Sequence, residues 1–164
     1  MTADEAIEVL DALDGAGLTV WVDGGWGVDA LVGRTTRDHA DLDLAIDRED
    51  LPEAQRVLEG MGFRHDRGVE PGLPARLVVR DEAGRQVDLH PLRFDDAGDG
   101  WQQLSDEGDD WGRYPAEGLA ASGSIGGRRV QCLSAELQVL FHQGYETTAK
   151  DDHDLALLRE IVDG

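Results

Sequence analysis

The chain of 164 residues has one cysteine, few basic residues and no long apolar run. Because Cys132 is alone, the chain can form neither an internal disulfide nor a thiolate zinc site, which indicates a reducing compartment. No apolar run approaches the roughly 20 residues that a transmembrane helix needs. The N-terminus carries acids where a signal peptide would have a basic and then an apolar region. We therefore expect a cytoplasmic protein with no membrane partner.

Positive charge is also scarce, since 35 acidic residues face 15 basic ones and the formal net charge is −20. Binding to nucleic acid needs clustered Lys and Arg to neutralise phosphates, so this balance argues against a nucleic-acid partner. A cationic small molecule, or a metal–nucleotide complex bound locally, remains compatible. Solvation of an acidic surface explains most of the charge, which therefore does not identify the substrate.

Length and a hydrophobic content of 40% predict one globular domain over residues 1–164. Helical and strand-like patterns alternate, which predicts an α/β or α+β fold: a mixed central sheet flanked by helices, with further helices at the C-terminus. The predicted helices cover 2–15, 26–32, 50–61, a segment capped by Ser134 and a segment from Asp151. Thr2 and Glu5 form a capping-box pattern at the start of the first helix, and Leu137, Leu140 and Phe141 fall on one apolar stripe of the helix after Ser134. The predicted strands cover 18–23, 41–46, 63–67, 75–80, 86–89 and a hairpin within 119–132. The strands 75–80 and 86–89 are also predicted to pair as a hairpin. The oligomeric state stays open, with a homodimer among the alternatives.

Residues 94–115 are rich in Asp, Gly and Trp and show no sustained period. This composition predicts a long loop, and loops of that length in compact domains are usually functional or mobile. Trp101, Trp111 and Tyr114 lie within it and would be available to stack on a ligand.

Acidic and apolar residues alternate in Asp41-Leu42-Asp43-Leu44. As a strand, this segment turns both aspartates to one face, where they repel each other unless a cation lies between them. Asp88 likewise alternates with apolar neighbours on a later strand and can join the pair. Oxygen ligands of this kind suit Mg²⁺, although acids alternate on many solvated strands. We therefore predict a metal site formed by Asp41, Asp43 and Asp88.

Gly24-Gly25 stands between a predicted strand and a predicted helix. Such a junction often forms only a tight turn, but it also presents backbone N–H groups and a positive helix end to a phosphate. Two basic residues, Arg34 and Arg37, follow before the Asp pair. Neither the Rossmann nor the P-loop pattern occurs, so a phosphate would be bound in another way.

Four segments carry a resemblance to a known family: W-V-D-G-G-W-G-V-D-A-L at 21–31, R-x-H-x-D-L-D-L at 37–44, V-D-L-H-P at 87–91 and C-L-S-A-E-L-Q-V-L-F-H-Q-G-Y at 132–145. With them the chain resembles the antibiotic nucleotidyltransferases of the polymerase-beta-type superfamily. The first two segments are shared with the aminoglycoside 2″-nucleotidyltransferases, and the last two are more similar to the lincosamide nucleotidyltransferases, which the chain resembles most. The likeness is weakest over 64–80 and 93–125, where an acceptor would be chosen.

This resemblance implies the nucleotidyltransferase fold and a Mg²⁺-dependent reaction in which a nucleoside monophosphate passes from an NTP to a hydroxyl of a small-molecule antibiotic, most closely a lincosamide. It assigns Asp41 and Asp43 to a two-metal site and makes Asp88 the general base, which also touches metal. The positions that match the nucleotide-holding part of the family are Gly24, Gly25, Arg37 and, as an equal alternative, Arg34.

Other readings of the sequence stay open beside a lincosamide enzyme. One is an aminoglycoside nucleotidyltransferase, and another is a toxin–antitoxin-type nucleotidyltransferase that modifies RNA or protein, which the net charge disfavours. A third is a non-catalytic nucleotide-binding module, for which loss of a carboxylate would be the usual sign. Backbone hydrogen bonding at a strand entry explains His39 better than a ligand role. The roles of four residues remain undecided: His39, His90, Lys150 and His153.

Overall fold

The computed structural model describes residues 1–106 and 108–164. Its α-helices are α1 Ala3–Gly15, α2 Gly24–Val32, α3 Leu51–Gly60, α4 Ala135–Phe141 and α5 Ala149–Asp163, and a short 3-10 helix spans Ala116–Leu119. Its strands are β1 Val20–Asp23, β2 Asp41–Asp47, β3 Arg64–His65, β4 Leu77–Arg80, β5 Gln86–Phe94, β6 Gly100–Gln103, β7 Trp111–Tyr114, β8 Ser122–Ile125 and β9 Arg128–Gln131.

Seven of these strands form one mixed sheet in the order β1-β2-β5-β4-β3, with β6 paired to the far end of β5 and β7 to β6. β2 and β5 run parallel, whereas the other neighbours in this sheet are antiparallel. β8 and β9 form a separate hairpin. The predicted mixed sheet flanked by helices, with helices at the C-terminus, is therefore confirmed, and so is the hairpin between β4 and β5.

The apolar residues of the central strands divide the sheet into two faces. Leu42 and Leu44 of β2 and Val87 and Leu89 of β5 are fully buried in a core that also contains the inner stripes of α1 and α3. Because side chains alternate along a strand, the intervening aspartates point to the opposite face. The first helix is fixed at its start by the predicted capping box between Thr2 and Glu5.

The prediction of a long loop over 94–115 is wrong, because β5 extends to Phe94 and the segment then forms the paired strands β6 and β7. Both strands are four residues long and are separated by Asp- and Gly-rich turns, so neither is long enough to show a period of two. Tyr114 is buried against Phe141 and donates a hydrogen bond to Gln102, which makes it a core residue rather than a stacking platform.

The two tryptophans of this segment also have partners within the protein. The Trp101 Nε1–H donates to Asp95, and the guanidinium of Arg93 lies 4.7 Å from the centre of the Trp111 ring.

Two predicted helix starts are also displaced. Gly24 and Gly25 are the first residues of α2 rather than a turn before it, because the Asp23 side chain caps the helix. The last helix begins at Ala149 rather than Asp151, because Thr148 is its N-cap and Asp151 completes a capping box as the third helical residue. In the part of the chain that the structure describes, no helix combines the length and apolarity needed to cross a membrane.

Candidate active site

Asp41, Asp43 and Asp88 each place a carboxylate oxygen within 4.8 Å of the others. The sheet produces this convergence, because β2 and β5 are parallel neighbours in which Asp43 stands directly opposite Asp88. Asp41 lies two residues before Asp43 and therefore on the same face. The alternation in the sequence predicted that these side chains would share a face, and the structure brings them together there.

Asp41 and Asp88 are placed where a negative charge on the carboxylate is costly. Burial, and then the neighbouring charge of Asp43, raise the pKa of Asp88 above the ordinary aspartate value, although Gln86 and Arg76 oppose the increase. The pKa of Asp41 is raised by the same two causes, with Lys150 and Arg37 opposing. A divalent cation would relieve this repulsion, and three carboxylates are suitable ligands for Mg²⁺. The residues present therefore fit a metal.

Asp88 is 2% exposed, and both of its oxygens accept hydrogen bonds. Gln86 Nε2 donates to Oδ1 at 2.7 Å and Arg76 Nη1 donates to Oδ2 at 3.1 Å. Sequence reasoning missed Arg76, which lies in the stretch with the weakest family likeness and with no local pattern to single it out. The carboxylate is thus oriented by two donors.

The N-terminus of α2 lies directly beside the carboxylate cluster. The backbone N–H of Gly24 donates to the capping Asp23 side chain at 2.6 Å. A Cβ added to Gly24 would collide with the Asp43 carboxylate, and one added to Gly25 would collide with Arg37 and His39. Only glycine therefore allows this helix end to approach the site so closely.

Replacing Gly24 by alanine tests this close approach, with Gly84→Ala as the matched control. Both glycines have positive φ, +58° and +85°, but a Cβ at Gly84 would enter open space. Strain at positive φ costs roughly 1–2 kcal/mol, so we expect both variants to lose about 2–8 °C in Tm for a domain of this size. Only Gly24→Ala displaces Asp43, so only this variant should also lose the activity that the resemblance implies. Equal activity in the two variants would contradict the functional importance of this contact.

Arg37 contacts the C-terminal helix rather than the carboxylate cluster. Its Nε and Nη2 donate to the two oxygens of Asp154 at 2.9 and 2.6 Å, and these bonds raise the pKa of the guanidinium. Arg34 is exposed, whereas Arg37 packs beside Gly25 at the start of α2. Asp154, 117 positions away, was not foreseen.

His39 is buried in a polar cluster next to Arg37. Its Nε2 lies 2.6 Å from the Asp29 carboxylate, and its ring stacks on Trp26. Burial raises the pKa of Asp29, but hydrogen bonds from His39 and Thr36 outweigh it, so the pKa is lowered overall. The expectation that His39 bonds to backbone missed this carboxylate partner. Trp26 is a core residue.

The other undecided residues lie at different distances from the cluster. His90 Nε2 is buried 3.5 Å from Asp43 without a hydrogen-bond partner among the described residues. Burial lowers the pKa of His90, but Asp43 and the neighbouring aspartates more than offset this effect, and the pKa is raised. His153 contacts the Thr36 hydroxyl at 3.1 Å. Lys150 is exposed, and its positive charge lowers the pKa of Asp41, against the stronger effect of burial.

The matches to known proteins extend over nearly the whole chain. The family model for aminoglycoside-2''-adenylyltransferases matches residues 5–158. A lincosamide resistance protein of Staphylococcus haemolyticus is 31% identical over 163 residues, which is 99% of this chain and 97% of that protein. A 2''-aminoglycoside nucleotidyltransferase of Klebsiella pneumoniae is 33% identical over 131 residues, 79% of this chain and 66% of that protein.

Solved structures agree with this relationship. The crystal structure of the lincosamide antibiotic adenylyltransferase LnuA with bound lincomycin superposes with a TM-score of 0.83 at 31% identity, covering 98% of each chain. The structure of ANT(2'')-Ia with adenylyl-2''-tobramycin covers 98% of this chain and 88% of that one, with a TM-score of 0.76; at 22% identity it supports the fold alone. The family model, the relatives and the shared fold together show that the chain belongs to the aminoglycoside-2''-adenylyltransferase family, a family of nucleotidyltransferases.

Proposed function

We propose that this protein transfers a nucleoside monophosphate from an NTP to a hydroxyl group of a lincosamide. The convergence of Asp41, Asp43 and Asp88 within 4.8 Å carries the proposal of nucleotidyl transfer. The choice of acceptor rests on the match to the lincosamide resistance protein, which extends over 97% of that relative, against 66% of the aminoglycoside enzyme. Adenylyltransferases among the relatives make ATP the first NTP to test.

An aminoglycoside is the second candidate acceptor, because the matching family model is named for aminoglycoside-2''-adenylyltransferases. The net charge of −20 suits a polycationic aminoglycoside as well as the basic nitrogen of a lincosamide. Charge therefore supports a cationic acceptor of either type.

Asp41, Asp43 and Asp88 are the residues that would hold Mg²⁺ in this reaction. When bound, the metal would neutralise phosphate charge and stabilise the leaving pyrophosphate. The Gly25 backbone N–H and the positive terminus of α2 are available to the phosphates, whereas the Gly24 N–H is bonded to Asp23. Arg37 adds positive charge beside that end, and Arg34 is the exposed alternative.

Asp88 is the proposed general base. Its carboxylate takes the proton from the acceptor hydroxyl, whose oxygen forms a new bond to the α-phosphorus while the bond from that phosphorus to the β-phosphate oxygen breaks and pyrophosphate leaves. The bonds from Gln86 and Arg76 hold the carboxylate in one orientation.

Nucleotide binding is expected to require a divalent cation, because a triphosphate would otherwise approach three aspartates of like charge. Isothermal titration calorimetry of ATP with Mg²⁺ and with excess EDTA measures this dependence. We expect binding with Mg²⁺ and none detectable without it. Tight binding of ATP in EDTA would contradict the metal-dependent site.

The acceptor can be identified by incubating the purified protein with Mg²⁺, each NTP in turn and a panel of lincosamides and aminoglycosides. Mass spectrometry would then detect the added nucleoside monophosphate. We expect adducts with lincosamides. Adducts with aminoglycosides only would favour the second candidate, and labelling of RNA or protein would favour a toxin–antitoxin-type enzyme. Nucleotide binding without any adduct would indicate a non-catalytic module.

A further inference from the structure

Arg76 joins the proposed base to a neighbouring surface segment through three hydrogen bonds. Nη1 donates to Asp88 Oδ2 at 3.1 Å, Nε donates to the Pro71 carbonyl at 3.0 Å and Nη2 donates to the Glu70 carbonyl at 3.1 Å. A guanidinium presents its donors in a fixed planar fork, so a contact on one edge restricts the direction of the others. The position of Asp88 is therefore coupled to the position of residues 70–72.

The sheet register explains how Arg76 reaches Asp88. Val78 of β4 stands opposite Asp88 of β5. Arg76 precedes Val78 by two positions and therefore lies on the same face of the sheet, diagonal to Asp88, which is within the reach of a long side chain. The ion pair is well shielded, since the Arg76 side chain is 27% exposed and the Asp88 side chain 2%.

The backbone before Arg76 is itself anchored from the other side. Gln102 Nε2 donates to the Ala75 carbonyl at 2.7 Å, and the buried Tyr114 hydroxyl donates to Gln102 Oε1 at 2.8 Å. Arg76 N–H donates to the Gly72 carbonyl at 3.1 Å, which closes the segment on itself. Strands β6 and β7 therefore contribute to the placement of the guanidinium.

We propose that Arg76 is a positioning residue for the transfer reaction, which holds the Asp88 carboxylate in the orientation required to receive the acceptor's proton. The proposal rests on the proposed function, in which Asp88 is the base. Arg76 acts through Asp88 and not on the nucleotide, because its other two contacts are to residues 70 and 71. Its loss should therefore slow turnover more than it weakens nucleotide binding.

The central test is a double-mutant cycle of Arg76→Ala and Asp88→Asn, with kcat and the KM for Mg²⁺–ATP measured for every variant. Misplacement of a catalytic group by about 1 Å can cost about 10²-fold in rate, so we expect Arg76→Ala to lower kcat by about 10- to 100-fold with the KM for ATP nearly unchanged. In the Asp88→Asn background the same substitution should have little further effect. Equal fold-losses in both backgrounds would overturn the proposal.

Rescue of kcat by added guanidinium distinguishes a positioning role of Arg76 from a merely structural one. At concentrations below those that unfold the protein, it should restore part of the kcat of Arg76→Ala. The matched control is Arg56→Ala, which removes an exposed arginine on α3 that pairs with Glu53; it should keep wild-type kcat and show no response to guanidinium. Absence of rescue in folded Arg76→Ala would contradict the positioning role.

Arg76→Lys covers the case in which the alanine variant does not fold. A lysine keeps the charge but cannot form the planar fork, so we expect kcat between those of wild type and Arg76→Ala, with an unchanged KM for ATP. Wild-type kcat in Arg76→Lys would show that the fork is not needed and would overturn the proposal. Different results would contradict the proposed function itself. These are no transfer by the wild type, or undiminished transfer by Asp88→Asn.

Discussion

Asp43→Asn is expected to abolish nucleotidyl transfer while leaving the protein folded. Asp43 lies at the centre of the site, since it is opposite Asp88 across β2 and β5, shares a face with Asp41 and contacts the start of α2. The proposed metal would lose one of its three charged ligands, the one at the centre of the site. Asparagine keeps the size of the side chain, and the apolar core lies on the other face of the sheet, so the fold should persist.

The stability of this variant without nucleotide should be at least that of the wild type. Asp43 contributes to the raised pKa values of Asp41 and Asp88. A raised carboxyl pKa in the folded state means that ionisation disfavours folding at higher pH, and that this cost is relieved as the pH falls through the folded pKa. Removing the charge of Asp43 should therefore stabilise the protein at neutral pH. The lost attraction between Asp43 and His90 should offset part of this stabilisation. The remaining stabilisation should disappear in acid.

Thermal unfolding across pH and an adenylyl-transfer assay measure both expectations. Asp47→Asn is a suitable control, because Asp47 closes the same strand and makes a hydrogen bond to Glu49 that asparagine can still accept. The control should retain transfer. Near-normal turnover by Asp43→Asn would refute its role as a metal ligand, whereas loss of the folded state would mean that the residue is needed for folding.

Asp88→Asn and Asp41→Asn should have different kinetic effects. A general base contributes typically 10²–10⁴-fold to the rate, so Asp88→Asn should lower kcat by about that factor with little change in the affinity for Mg²⁺–ATP. Asparagine keeps the size of the side chain and one of its two acceptor oxygens, so it can retain the bond from Arg76 or the bond from Gln86, but not both. Asp41 is proposed to hold the nucleotide through metal, so its replacement should reduce both kcat and affinity.

Steady-state kinetics together with calorimetry of Mg²⁺–ATP binding distinguish the two roles. If Asp88→Asn loses nucleotide affinity as severely as Asp41→Asn, then Asp88 acts only as a metal ligand and another group removes the proton. His90 would be one alternative, since its ring nitrogen lies 3.5 Å from Asp43.

Local sequence patterns predicted the parts of the fold and site that one strand or helix specifies by itself. The capping box of α1, the aspartate face of β2 and the opposite directions of Asp88 and its apolar neighbours follow from periods of two or 3.6 residues. β6 and β7 escaped prediction because four-residue strands between acidic turns carry too few alternations. Leu140, placed by its spacing on the apolar stripe of α4, is 52% exposed, because the stripe of a seven-residue helix is short.

The sequence alone thus determined the chemistry that is available: three aspartates on predicted strands, a Gly-Gly helix start and basic residues between them. Only the tertiary structure decided which groups orient that chemistry. Arg76 donates a hydrogen bond to Asp88, 12 positions away in the sequence, and Arg37 donates to Asp154 of α5, 117 positions away. A period in the sequence encodes the face on which a side chain lies, whereas its partner depends on which strands and helices become neighbours. That outcome is set by packing of the whole core, and no local pattern records it.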